Sequence, residues 1–137
     1  MTTKTTAKAT FQIASWDENP YAEFEGVGKL TRAVVTQTYA GDLVGEGAAT
    51  TLMYYGAPDV PVYYTGLERF SGTVSGKTGT FVLQAKGVFA DGAANTTSFV
   101  VPGSGTGELT GLRGDLVYEA VQGESGVSVA FDYYFEV

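Results

Sequence analysis

Apolar and polar residues alternate along most of this chain, and turn signals cut the alternation at short intervals. The signals are Gly41-Asp42, Gly56 to Asp59, Ser75-Gly76-Lys77, Ala90-Asp91-Gly92 and Gly123-Glu124-Ser125. Alternation with a period of two puts successive side chains on opposite faces of a strand. The pattern predicts strands near Thr10–Trp16, Leu30–Ala40, Leu43–Tyr55, Val60–Thr73, Thr78–Phe89, Asn95–Val101, Asp115–Val121 and Val127–Glu136. No stretch carries a helical period. Long strands joined by short antiparallel connections close more readily into a barrel than they stack as a sandwich. The expected fold is therefore all-β: a single eight-stranded antiparallel β-barrel over residues 9–137 with an internal apolar cavity, preceded by a flexible polar tail at residues 1–8.

One hairpin can be registered from its turn. A two-residue turn at Ser75-Gly76 sets Phe70 opposite Phe81, Glu68 opposite Leu83 and Gly66 opposite Ala85. These share a face with Tyr64, Val62 and Phe89, while Arg69, Ser71, Thr65, Thr80, Gln84 and Lys86 take the other. The first face is the apolar one and is assigned to the interior. That makes Glu68 a carboxyl aimed inward among aromatics. In the last strand Phe131, Tyr133 and Phe135 alternate with Asp132, Tyr134 and Glu136, and the first set is assigned inward, as are Leu116, Tyr118 and Ala120 before it. The hairpin at Gly41-Asp42 is ambiguous: Tyr39 and Glu46, or Met53 and Tyr55, take the interior.

Composition removes whole classes of chemistry. The 137 residues contain no Cys and no His. Disulfides, thiolate nucleophiles, imidazole metal sites and the Ser-His-Asp triad are all excluded. Acid–base work falls to carboxylates, tyrosines, lysines or water. The net charge is −7, with 8 Lys and Arg scattered along the chain. No basic patch is present for a phosphate backbone or an anionic membrane, so neither nucleic acid nor membrane is an expected partner. The opening "MTTKTTAKAT" lacks the apolar core of a signal peptide, and a cytoplasmic protein is expected.

The stretch "VPGSGTGELTGLRGD" from Val101 to Asp115 invites a phosphate-loop reading. Its glycines fail the dinucleotide spacing: from Gly103 the third position is Glu108, and from Gly105 it is Thr110. No helix pattern follows to receive a phosphate. Gly76-Lys77-Thr78 fails the Walker spacing too, with Ser71 where Gly is needed. The stretch is expected to be a tight crossover with Leu109 and Leu112 tucked under one barrel end.

"SWDE" at Ser15, "KLTRA" at Lys29, "GLERFSG" at Gly66, "GTFVLQ" at Gly79 and "VPGSGTGELTGLRG" at Val101 together resemble the domain-of-unknown-function family 3224. That family is similar to the allene oxide cyclase barrel, a calycin-like fold, and more loosely to the dirigent proteins. The resemblance implies an eight-stranded barrel with a cavity, and it points to cofactor-free cyclisations of the kind that related barrels host. The family pattern often carries His after the Gln of "FVLQ". This chain has Ala85 there, which removes a His–carboxylate pair from its chemistry.

Glu68 is the candidate catalytic residue, since an inward carboxyl in an apolar barrel loses hydration and its pKa rises. The structural alternative is a buried ion pair, with Arg32 as partner. Tyr64, Phe70, Phe81, Leu83, Tyr118, Phe131, Tyr133 and Phe135 are the candidate binding residues, with the tyrosines as donors to a ligand oxygen. Trp16 leaves the face of Phe11 and Ile13 on alternation and is expected to plug a barrel end. Asp17, Glu18, Glu23 and Glu25 read as a solvated acidic loop, with no metal expected. The expected ligand is a small apolar molecule, with no cofactor; self-assembly stays open. Three functions fit: a cofactor-free cyclase or isomerase, a lipocalin-like binding protein, and a barrel filled by its own side chains.

Overall fold

The computed structural model describes residues 4–26 and 28–136. Eight strands follow in order: β1 (Thr5–Phe24), β2 (Gly28–Gly41), β3 (Leu43–Tyr55), β4 (Val62–Val74), β5 (Lys77–Ala90), β6 (Ala93–Val100), β7 (Leu112–Val121) and β8 (Val127–Phe135). Each pairs antiparallel with its sequence neighbours, and β8 pairs with β1 to close the barrel. The only helical element among the described residues is one 3-10 turn, Gly107–Leu109.

The registered hairpin is as expected. Phe70 faces Phe81, Glu68 faces Leu83 and Gly66 faces Ala85. Ser75 and Gly76 both take positive φ, 48° and 86°, as a type I′ turn between right-twisted strands requires. The ambiguity at the Gly41 hairpin also resolves. Tyr39 pairs with Gly45, so Tyr39, Met53 and Tyr55 share the inner face and Glu46 points out, exposed.

Strand β1 departs most from expectation. It starts at Thr5, not Thr10, and Thr5–Phe11 pairs with β8. The latter part of the expected tail, from Thr5 to Lys8, is thus strand; residues 1–3 lie outside the described residues. Its alternation is real but faint, because Ala7 and Ala9 are its inward residues. β1 also runs on to Phe24, so Asp17, Glu18 and Glu23 stand on a strand and not in a loop. Past Phe11 it pairs only with β2. One-sided pairing leaves room for Pro20, which has no N–H to give a second neighbour.

The barrel has two unlike halves. In one, rings and leucines fill the bore: Phe70, Phe81, Phe131, Leu43, Leu83, Leu109, Leu112 and Leu116 are all at most 2% exposed. Ring contacts run unbroken through it, Tyr39–Phe70 (5.3 Å), Phe70–Phe81 (4.9 Å), Phe81–Phe131 (5.9 Å) and Phe131–Tyr133 (5.3 Å). The glycine stretch closes this end. Strand β6 covers β5 only from Leu83 onward. Below that the stretch takes its place: Val101 N–H donates to Val82, Thr106 N–H to Thr80, and Thr80 N–H to the Thr106 hydroxyl. Gly79 lets the Thr106 carbonyl approach where a Cβ would collide with it. The stretch is a wall patch, and Leu109 is its plug.

Candidate functional site

The other half of the barrel is hollow. A cavity of about 390 Å³ lies among its inward side chains. The cause is residue size. Continuing inward along β5, Phe81 and Leu83 give way to Ala85 and Gly87. Along β4, Phe70 gives way to Glu68 and Gly66, and along β7, Leu116 to Tyr118 and Ala120. Strand β3 contributes Ala49 and Thr51, and β6 contributes Ala94. Val35, Met53, Tyr55, Val62 and Phe89 wall the far part, with Ile13 and Trp16 at its mouth.

The floor, where hollow meets filled, is polar. Glu68 lies over Gly47, where a Cβ would strike its carboxyl. The Tyr39 hydroxyl donates to Glu68 Oε2 at 2.6 Å, with Gln37 Oε1 at 3.2 Å as its alternative acceptor. A hydroxyl has one hydrogen. When Glu68 is ionised, Tyr39 gives that hydrogen to Oε2. When Oε2 carries a proton, the direction reverses, and Tyr39 passes its own hydrogen on to Gln37. Phe11 bridges Tyr39 and Tyr118, with centroids at 5.5 and 5.0 Å. Tyr64 and Thr96 share a hydrogen bond of 2.6 Å across β4 and β6, made close by Gly87 beneath the Tyr64 ring.

Burial dominates the titration here. It pushes the Glu68 carboxyl above its ordinary value, against the opposing pull of the Tyr39 hydrogen bond. It pushes Tyr118 up to about 12. Tyr39 rises well above the ordinary tyrosine value, first by burial and then by the Glu68 charge. No Lys or Arg among the described residues forms an ion pair with Glu68. Arg32, the partner that an ion-pair role would need, is exposed on the outer face.

A second carboxyl guards the mouth. Trp16 Nε1, Thr31 Oγ1 and Tyr55 Oη all donate to Glu18, at 3.1, 2.7 and 2.7 Å. Burial works to raise its pKa, but these three hydrogen bonds and the Lys29 charge outweigh it, and the value falls below the ordinary one.

A family model described as "Protein of unknown function (DUF3224)" matches residues 7–133. The chain belongs to this family. It is similar to a solved structure of a DUF3224 protein of unknown function from Shewanella oneidensis MR-1, at 31% identity, with a TM-score of 0.80 and 100% of this chain and 99% of that chain covered. No curated protein matches.

In this DUF3224 chain, the residues singled out from sequence divide between the two halves. Glu68, Tyr64 and Tyr118 come together around the cavity. Phe70, Phe81, Leu83, Phe131, Tyr133 and Phe135 do not line it; they are the packing of the filled half or sit at its end. They are inward, as expected, but an inward face says nothing about depth along the bore. Trp16 also corrects the expectation. A β-bulge between Ile13 and Ser15 adds a residue to β1, so Ile13 pairs with Gln37 and Trp16 with Val35, both inward partners. The extra residue returns Trp16 and Glu18 to the inner face. Gln37, Thr96 and Glu18 were not singled out as site residues. Glu18 depends on that bulge, Gln37 on the hairpin register at Gly41 and Thr96 on the pairing of β6 with β5, none of which periodicity shows.

Proposed function

We propose that the hollow half binds one small, largely apolar molecule, with Glu68 as its ionisable anchor. The observation that carries this reading is the placement of small residues. Ala49, Gly66, Ala85, Ala94 and Ala120 occupy inward positions where the other half has rings and leucines, and they surround a carboxyl with no ion-pair partner among the described residues. A site of this form, mostly apolar with a few convergent polar groups, is the usual form of a small-molecule pocket. A barrel that only had to be stable would gain by filling it, since each buried methylene contributes about 0.8 kcal/mol.

A second reading is catalytic, and Glu68 favours it. A carboxyl whose pKa burial raises, beside a largely apolar cavity, can give or take a proton on a bound substrate. Cofactor-free isomerisation or ring closure would need little else, because a shaped cavity supplies orientation.

The test uses Trp16, the sole tryptophan of the chain, which stands at the mouth. Prodan, an uncharged naphthalene dye, should quench Trp16 emission and shift its own emission to the blue. Ala120→Phe should fill the cavity and weaken prodan by roughly tenfold or more, equivalent to about 1.4 kcal/mol. Equal affinity in the two proteins would place the dye elsewhere and end the reading.

A further inference from the structure

We propose that the ligand class of this pocket is an apolar amine, bound as its ammonium ion against Glu68. The inference rests on the ligand-pocket reading and adds the charge of the occupant. The first observation is the charge of the lining. Glu68 is the one ionisable acid or base among the residues that line the cavity; no Lys or Arg is among them. The tyrosines there are neutral near pH 7, since burial holds Tyr55, Tyr64 and Tyr118 above the ordinary tyrosine value. An anionic ligand would meet a like charge with no cation to offset it. A fully apolar ligand would leave the carboxyl with Tyr39 and without a countercharge, which is the costly state of a buried acid.

The second observation is the ring arrangement. Tyr118, Phe11 and Tyr39 form a continuous arc of rings at the floor, with contacts of 5.0 and 5.5 Å, and Tyr39 bonds Glu68 directly. Aromatic faces beside a carboxyl are the usual surroundings of a bound organic cation. Outside, the net charge of −7 favours the approach of cations.

The proton balance is simple. An ammonium enters, the carboxyl proton, where present, leaves to water, and an ion pair remains. The Tyr39 hydroxyl then donates to Glu68 Oε2, the arrangement the structure already shows.

The adamantane series tests this at constant shape: adamantylamine, adamantanol and adamantane carboxylate, each competing with prodan at about pH 8, where the amine is protonated and an acid ionised. The amine should bind roughly tenfold or more tighter than the alcohol, and the carboxylate weakest. Glu68→Gln should lose the preference for the amine over the alcohol. In the unmodified protein, lowering the pH until Glu68 is protonated should erase the same preference, and this reads the inference even if the variant does not fold. Prodan binding without an amine preference, or a preference that survives Glu68→Gln, overturns the amine assignment and leaves the pocket standing. No binding of prodan or of any adamantane compound removes the pocket reading itself.

Discussion

The filled and hollow halves of this barrel share most of their strands, and the size of the inward side chains is what closes one and opens the other. Strand β5 passes from Phe81 and Leu83 in one half to Ala85 and Gly87 in the other without a break in its pairing with β4. Strand β4 makes the same change between Phe70 and Gly66. The backbone of a closed sheet sets the diameter of the bore, so small residues leave empty space where large ones leave none. One half therefore supplies cohesion while the other holds a volume open. The polar floor of Glu68, Tyr39 and Gln37 lies at the boundary, where the filled half can support it from below.

The sharpest test of this division is truncation on each side. Phe81 is fully buried between Phe70 and Phe131. Phe81→Ala should cost about 3–5 kcal/mol, because it opens a void in dense packing. Met53 walls the cavity, so its removal enlarges a space already open. Met53→Ala should fall at the low end of its range, about 2 kcal/mol. Urea midpoints at a shared m-value give the two losses. Equal losses would mean that the halves do not differ energetically.

Insertion should show the opposite asymmetry. Ala120→Phe or Ala85→Leu puts atoms into vacant space and should change stability by less than about 1.5 kcal/mol, in either direction. Val100→Phe, at a position 1% exposed in the filled half, should cost about 1–3 kcal/mol through overpacking. Thermal melts compare the three. A comparable loss for Ala120→Phe would show the cavity to be smaller or more rigid than its lining implies.

Much of this was legible beforehand, and the misses have specific causes. The Ser75-Gly76 turn is short and its residue types demand one geometry, so the register of β4 and β5, and with it the inward Glu68, followed from local chemistry. The end plug by Leu109 and Leu112 followed from a glycine stretch with no helix after it. Position along the bore was not legible. Phe81 and Tyr64 look equivalent in a period-two pattern, yet one packs and the other faces a cavity, because what matters is how residues from several strands add up at one level. The bulge near Ala14 was also invisible, since one inserted residue among Ile13, Ser15 and Trp16 leaves no compositional mark. It reversed the face of Trp16 and Glu18 and so hid the mouth of the cavity.

The two carboxyls extend the comparison to pH, with opposite signs. Glu68, at the floor, has its folded pKa raised above the ordinary glutamate value of 4.5. The folded state then holds the proton more tightly than the unfolded chain. Its contribution is fully present below that ordinary value and is lost as the pH rises through the raised one. Glu68→Gln should remove that slope and leave stability equal to or above the parent at higher pH, because the variant carries no buried charge. A partner cation would give the reverse, a loss of about 3–5 kcal/mol from the stranded charge. Denaturation of parent and variant across the acid range separates the two outcomes.

The smallest effect is expected at the mouth. Glu18 has its folded pKa lowered below 4.5, since the donors Tyr55, Thr31 and Trp16 outweigh its burial. Its contribution is present above the ordinary value and is lost as the pH falls through the lowered one. The residue is only partly buried, so solvent screens the interaction and the loss should be slight. A local signal should report it more clearly than global stability does. Trp16 donates its indole N–H to Glu18 at 3.1 Å, and protonating the acceptor weakens that bond. Trp16 emission should therefore change over an acid transition that lies below the range in which Glu68 titrates. Glu18→Gln should abolish the transition, while Glu68→Gln should leave it in place. If the Trp16 signal instead follows Glu68, the floor and mouth are one coupled unit, and the hollow half responds to protons as a whole.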